Sequence, residues 1–241
     1  MESTGTRPGV IPDKERVGVT YTEARQIVVE STRDEGGLWQ AFAVHGDLVP
    51  ALERIERYGP RLLLQKASGL RTDVAAISDL VREIRHAIPG PLVVVVDFLQ
   101  KVPSFPETED EAGRVTRVVQ GLKDLALSVE VGIIAIVAAE KEGLDGRRLR
   151  PHHFRGSSAL IYEADVILVF NSKYQIITRT SIEWNLHKAQ ELHDWIICTI
   201  EKNRSGRGLV ELQFRKRFEY ACFDPNGTIV EEKLIGDRVT S

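Results

Sequence analysis

The chain has 241 residues, 42% of them hydrophobic and 28% charged, with a formal net charge of -3. That is enough for one large domain or two small ones with a substantial core. The balance gives no global nucleic-acid signature and no long acidic or basic tail, so any contact with nucleic acid must rest on local patches. The start is polar and interrupted by Pro8 and Pro12, unlike a secretion signal. No apolar run approaches the roughly 20 residues of a membrane helix. Cys198 and Cys222 lie beside predicted strands without metal-type spacing, which fits core residues in a reducing, cytoplasmic compartment.

Taken in order, residues 1–16 read as a flexible polar arm and 17–241 as the folded domain. TEARQIVVES and DLVPALERIERYG are predicted helices, the second with Leu48, Leu52 and Ile55 on one face. RLLLQKA is a predicted short strand. TDVAAISDLVREIRHAI follows as a helix capped by Thr72, with Val74, Ile77, Val81, Ile84 and Ile88 at helical spacing. GPLVVVVDFLQKVP is a buried strand that delivers Asp97 to its end, followed by the acidic loop PETEDE. GRVTRVVQGLKDLALSV is a helix whose Val115, Val118, Val119, Leu122, Leu125 and Val129 face the core.

VGIIAIVAA, ADVILVFN and DWIICTIEKN are continuous apolar runs, which predicts strands buried on both faces in a mainly parallel central sheet. Alternation of strands with helices makes the class α/β. The tail GLVELQFRKRFEYACFD alternates and carries charge at its centre, as an antiparallel hairpin at the sheet edge would. The polar insertion between Asn171 and Asp194 has no assigned structure. There is no repeat.

Three constellations carry chemistry. Asp97 ends a strand, where open α/β sheets collect ligands and where an aspartate can hold magnesium through water; a strand-end aspartate also caps turns. In EKNRSGRG, Lys202 and Arg204 project to one side if the strand continues, a pair suited to phosphate; a solvated basic turn has the same composition. In FRGSSALIYEAD, Arg155, Gly156, Ser157 and Ser158 form a small cationic loop before a helix, suited to a nucleic-acid backbone or to an ordinary cap.

The order and spacing of VVVVDFLQ, the helix and strand through IIAIVAAEK, RGSSALIYEADVILVF and CTIEKNRSGRGLVELQF resemble the C-terminal ATPase domain of DnaB-type replicative helicases, over about residues 60–225. The resemblance implies a RecA-like fold, a ring oligomer, single-stranded DNA as partner, and ATP with magnesium as cofactors. By the same resemblance Asp97 is the Walker B aspartate and metal residue, and Gln100 belongs to the nucleotide-side signature. Arg155, Gly156, Ser157 and Ser158 form the DNA loop. Lys202 and Arg204 are catalytic residues reaching into a neighbour's nucleotide. Glu23 is the candidate for the family's catalytic glutamate.

The chain also departs from the pattern. No G-x-x-x-x-G-K-[ST] phosphate loop occurs in the 241 residues, and the resemblance places their start past it. Ala138 stands at the phosphate-sensing glutamine, and Gly156 replaces the acidic residue after Arg155. Two function classes follow. One is a DnaB-like module in replication or repair, inactive alone, that joins a P-loop-bearing subunit as a homo- or hetero-oligomer. The other is a fragment or subunit of an active ATP-dependent 5'-3' DNA helicase. Among weaker signals, His152, His153, His187 and His193 lack ligand-pair spacing and read as solvated. Trp184 and Trp195 read as packing residues. FRKRF could contact nucleic acid or serve only as an edge strand.

Overall fold

The computed structural model describes residues 21–31, 40, 48–107, 110–146, 148–156, 158–177, 191–231 and 234. The expected arm at 1–16, Ser157, Trp184, His187 and most of the 171–194 insertion lie outside them. The chain divides into two compact units, residues 1–65 with 214–228, and residues 66–213 with 229–241.

In the first unit, α1 spans Tyr21–Ser31 and α2 spans Val49–Tyr58. Pro50 opens α2, where its missing N–H costs nothing, and Leu52 is its buried residue. Ile55, expected on the same inward face, is 61% exposed. RLLLQKA forms no strand, and Leu62, Leu63 and Leu64 are exposed. The Leu62 amide turns back to Gly59 O at 3.1 Å, a helical-turn bond in place of a strand ladder.

The second unit holds the elements that matter for function. α3 spans Val74–Ala87 and α4 spans Glu111–Val129. The cap of α3 is Asp73, whose carboxylate accepts from the Ala76 amide at 2.8 Å. Thr72, the expected cap, accepts instead from the Ser68 amide at 2.8 Å. Asp110 caps α4 through the Gly113 amide at 2.9 Å. The two helices cross closely at Gly121, where a Cβ would stand 2.8 Å from Val74 Cγ1.

Two parallel strands, β1 (Val93–Val96) and β2 (Gly132–Ala135), run in register with Val93 opposite Gly132 and Val96 opposite Ala135. α4 backs them. Its Val115, Val118, Val119 and Leu122 join Val96, Leu99 and Val102 in one cluster, and Leu125 joins Val81 and Val131 in a second. The heptad-like spacing of the α4 sequence therefore predicted its buried face correctly.

The rest of the sheet differs from expectation in direction. Beyond two five-residue helices, α5 (Lys141–Asp145) and α6 (Ala159–Glu163), strand β3 (Val166–Ser172) pairs antiparallel with β4 (Trp195–Asn203). A four-residue turn, α7 (Lys173–Ile176), follows β3. β4 neighbours β5 (Val210–Arg217); the last residues of β5 belong to the first unit, where they pair antiparallel with β6 (Cys222–Phe223), and β7 (Thr228–Ile229) also pairs with β5. The antiparallel C-terminal pairing was expected, whereas a mainly parallel sheet is replaced by one parallel pair and a largely separate five-stranded sheet. Continuous apolar runs record a preference for cover, and they carry no information on strand direction.

Cover is also one-sided. Val93, Val95, Ile134 and Ile136 are 46–60% exposed on one face of β1 and β2, and β3 alternates, with Val169 buried and Leu168 half exposed. The expectation of two buried faces is corrected for β2 and β3, whereas it holds at the centre of β4, where the successive Ile197, Cys198 and Thr199 are all buried.

Candidate functional site

Asp97 follows β1 directly, at the carboxyl end of the parallel pair. The Ile136 amide donates to Val96 O at 2.9 Å and the Leu99 amide to Ile136 O at 2.9 Å, so the chain leaving β1 stays fastened to the chain leaving β2. The Asp97–Phe98 peptide is cis. The Asp97 side chain is exposed and has no hydrogen-bond or ion-pair partner among the described residues. It caps no turn. An unengaged carboxylate at this position fits a hydrated magnesium ion, for which it would supply one oxygen.

Gln100 sits differently from the expectation of a nucleotide contact. It is 4% exposed, and its carboxamide is engaged by backbone. Nε2 donates to Ala138 O at 3.2 Å and to Arg155 O at 2.9 Å, and Oε1 accepts from Ala138 N at 3.1 Å. Arg155 N in turn donates to Ala138 O at 3.0 Å. The amide therefore joins the segment after Asp97, the segment after β2 and the Arg155 loop. Ala138, which has no side chain able to sense phosphate, serves this junction through its backbone.

The loop beyond is held from several directions. Ala139 bridges Phe154, and the Glu140 amide donates to His153 O at 2.8 Å. Gly156 has φ +117°, and a Cβ there would meet Val115 Cγ2 at 2.6 Å, so only glycine lets the loop lie flat on α4. Arg155 donates through Nε to Glu111 Oε2 at 2.9 Å. Ser158 precedes α6 without capping it through its hydroxyl.

Lys202 and Arg204 stand at the far end of β4 and meet at one oxygen. Lys202 Nζ donates to Ile161 O at 2.7 Å and Tyr162 O at 3.0 Å, and Arg204 Nη2 donates to Tyr162 O at 2.5 Å. These carbonyls end α6, where cations are favoured. Arg204 Nη1 also reaches Asp165 Oδ1 at 3.2 Å, and the Asp165 carboxylate receives Lys123 Nζ at 2.7 and 2.9 Å. The hydrogen bond from Lys123, with the charges of Lys123, Arg204 and Lys202, holds Asp165 below the ordinary carboxylate range against an opposing desolvation. Desolvation first, and then the neighbouring Arg204, lowers Lys202.

Helix α4 thus serves both groups. Glu111 at its start holds Arg155, and Lys123, about 18 Å further along the axis at the usual helical rise, holds Asp165. The sequence reading missed Glu111, Lys123 and Asp165. Each is an ordinary surface charge in its own segment, and only the fold pairs it.

The other readings sort plainly. His153 Nδ1 accepts from the Arg150 amide at 3.0 Å, and His193 stacks on Tyr174 at 3.7 Å. Among the described residues no group of His, Cys, Asp or Glu could hold a metal by itself. The half-buried Trp195 ring lies 5.8 Å from Lys173 Nζ. Cys198 is buried, which raises its thiol pKa, and Cys222 is half-buried; both are free. Lys216 of FRKRF lies 5.8 Å from the Phe218 ring. Glu23 lies on α1 in the first unit, while Asp97 belongs to the second. Among the described residues no helix is long and apolar enough to cross a membrane.

A parallel pair backed by helices, with a carboxylate at its carboxyl end, makes this unit an α/β arrangement. The model of the DnaB-like helicase C terminal domain matches residues 48–223, and the chain belongs to that family. It is similar to a DnaB-like replicative helicase whose structure was solved for its interactions with primase, at 20% identity and a TM-score of 0.52, over 63% of this chain and 35% of that one. It is similar also to a second solved structure, described as an ATPase domain, at 20% identity and a TM-score of 0.51, over 63% of this chain and 51% of that one. The chain therefore spans about a third to a half of the length of these structures. No curated protein matched.

Proposed function

We propose that this chain is a DnaB-like module of DNA replication or repair, acting in the cytoplasm and contributing to a nucleotide site that it does not complete. One observation carries the reading: Lys202 and Arg204 converge on a single oxygen, Tyr162 O, and Arg204 remains half exposed. Two cations that share one carbonyl oxygen are spaced to receive the oxygens of a phosphate. Asp97 adds one carboxylate for magnesium, and the Arg155 loop adds a contact for single-stranded DNA. The 241 residues contain no G-x-x-x-x-G-K-[ST] loop to hold the triphosphate, so on this reading ATP–magnesium binds weakly to them alone and turnover is negligible. The phosphate loop comes from a P-loop-bearing DnaB-like subunit in a ring or mixed oligomer.

The test is to mix the chain with such a subunit and measure ATP hydrolysis at saturating complex. Wild type stimulates the partner, and Arg204→Ala binds it without stimulating. An arginine supplied in trans contributes about 10³–10⁵ in rate. If both proteins bind and neither changes the rate, the trans role is wrong. If the pure chain turns over ATP by itself and Asp97→Ala abolishes this, the reading of an incomplete site fails.

A further inference from the structure

The Arg155 loop has a property that goes beyond a cationic contact. Its backbone is set before any ligand arrives, by the Gln100 carboxamide at Arg155 O, by Ala138 at Arg155 N and by the approach of Gly156 to Val115. Its guanidinium is already engaged through Nε. Arg155 Nε donates to Glu111 Oε2 at 2.9 Å, with the arginine side chain 54% and the glutamate 31% exposed. The other oxygen of the same carboxylate accepts from Arg114 Nη2 at 3.2 Å. Glu111 is the first residue of α4, and the Asp110 cap keeps that turn wound, so the carboxylate is held where it stands.

The carboxylate takes one of the five N–H donors and sets a negative charge beside the others, where a phosphodiester would bring its own. Nucleic acid approaching this arginine therefore competes with a counter-ion already in place. We propose that Glu111 is an internal counter-ion of the Arg155 loop, and that a phosphodiester of single-stranded nucleic acid binds by exchanging with it. Glu111 then sets the affinity of the loop without touching the ligand. The idea rests on the reading of Arg155 as a nucleic-acid contact, and its test keeps the two apart.

The exchange removes one half-exposed ion pair for each phosphate contact formed. Pairs of this kind contribute up to about 1 kcal/mol, so releasing the arginine in advance tightens binding by about two- to fivefold. The experiment is fluorescence anisotropy with a labelled oligothymidylate at fixed low salt, on the full chain. It compares wild type, Glu111→Gln, Arg155→Ala and the double variant, with thermal midpoints recorded for all four. Glu111→Gln keeps the helix start and removes the charge.

The expected result is tighter binding by Glu111→Gln, weaker binding by Arg155→Ala, and no gain from Glu111→Gln once Arg155 is gone. If Arg155→Ala leaves affinity unchanged, the loop is not a contact and both readings fall. If Arg155→Ala weakens binding but Glu111→Gln does not tighten it, the contact stands and the exchange is wrong. A gain that persists in the double variant assigns the effect to bulk charge or to Arg114 and also overturns it. No binding by any of the four overturns both. A shift in thermal midpoint without a change in affinity shows a structural pair only and overturns the exchange.

Discussion

Two strand ends in the second unit are built from opposite charges and treated in opposite ways. At the end of β1, Asp97 is exposed and has no partner among the described residues. Past the end of β4, Lys202 and Arg204 are both engaged, by Ile161 O, Tyr162 O and Asp165. The free carboxylate contributes nothing to the fold that the structure records, whereas the cations close a helix end and bind a carboxylate. A charge that stabilises nothing locally is the stronger pointer to a ligand, and a charge with good internal partners must leave them to act elsewhere. For the proposed trans role, Arg204 gives up the carbonyl of Tyr162 when it turns to a neighbour.

The sharpest way to break this contrast lies beside Asp97, because the segment carrying the free carboxylate is itself fastened by Gln100. Gln100→Leu keeps the volume roughly and removes the carboxamide. The half-buried Ala138 amide and the carbonyl of the exposed Arg155 then lose the side-chain partner that Gln100, itself 4% exposed, supplies. An unsatisfied buried group costs about 1–3 kcal/mol and a part-buried one less, so the variant loses about 1–3 kcal/mol in all, read as a lower urea midpoint. A midpoint within error of wild type would mean that the junction is held by backbone alone.

How much of this was legible beforehand follows from what each pattern encodes. The α4 face was read from spacing because Val115, Val118, Val119, Leu122 and Leu125 answer to a single period, and all are buried. The place of Asp97 at a strand end was legible because a run of valines closed by a carboxylate marks where a buried strand stops. Gln100 was picked out by resemblance as part of a nucleotide signature, yet its carboxamide is turned onto backbone far along the chain, at Ala138 and Arg155. Nothing local marks such a tie. The same holds for Glu111 with Arg155 and Lys123 with Asp165, ion pairs between segments more than forty residues apart in sequence. The direction of β3 and β4 was illegible for a different reason: apolar composition predicts burial of a strand and is silent on the direction of its neighbour.

The contrast between free and engaged charge is then tested directly by two single truncations. Asp97→Ala leaves the urea midpoint within about 0.5 kcal/mol of wild type, as expected for a surface group without partners. Arg204→Ala loses the bond to Tyr162 O and the pair with Asp165, and costs about 0.5–1 kcal/mol because the side chain is half exposed and screened. Equal losses for the two variants would remove the distinction.

The smallest effect concerns pH, and it isolates the Asp165 group. Lys123, then Arg204 and Lys202, hold the folded-state pKa of Asp165 below its unfolded value, which lies near 3.8. A depressed carboxylate contributes stability at every pH above the unfolded value. That contribution is lost as pH falls through the folded value. Wild type should therefore lose an increment on acidification below about pH 4 that Asp165→Asn, which cannot ionise, has already lost at neutral pH. Since Asp165 is 58% exposed, solvent screening keeps the increment below about 1 kcal/mol. The measurement is the difference in urea midpoint between the two proteins at pH 7 and at pH 3, at low salt. A difference that stays constant with pH would show that Lys123 and Arg204 pack against Asp165 without stabilising its charge. A difference that narrows toward pH 3, and narrows less at high salt because the pair is then already screened at pH 7, assigns it to the ion pairs.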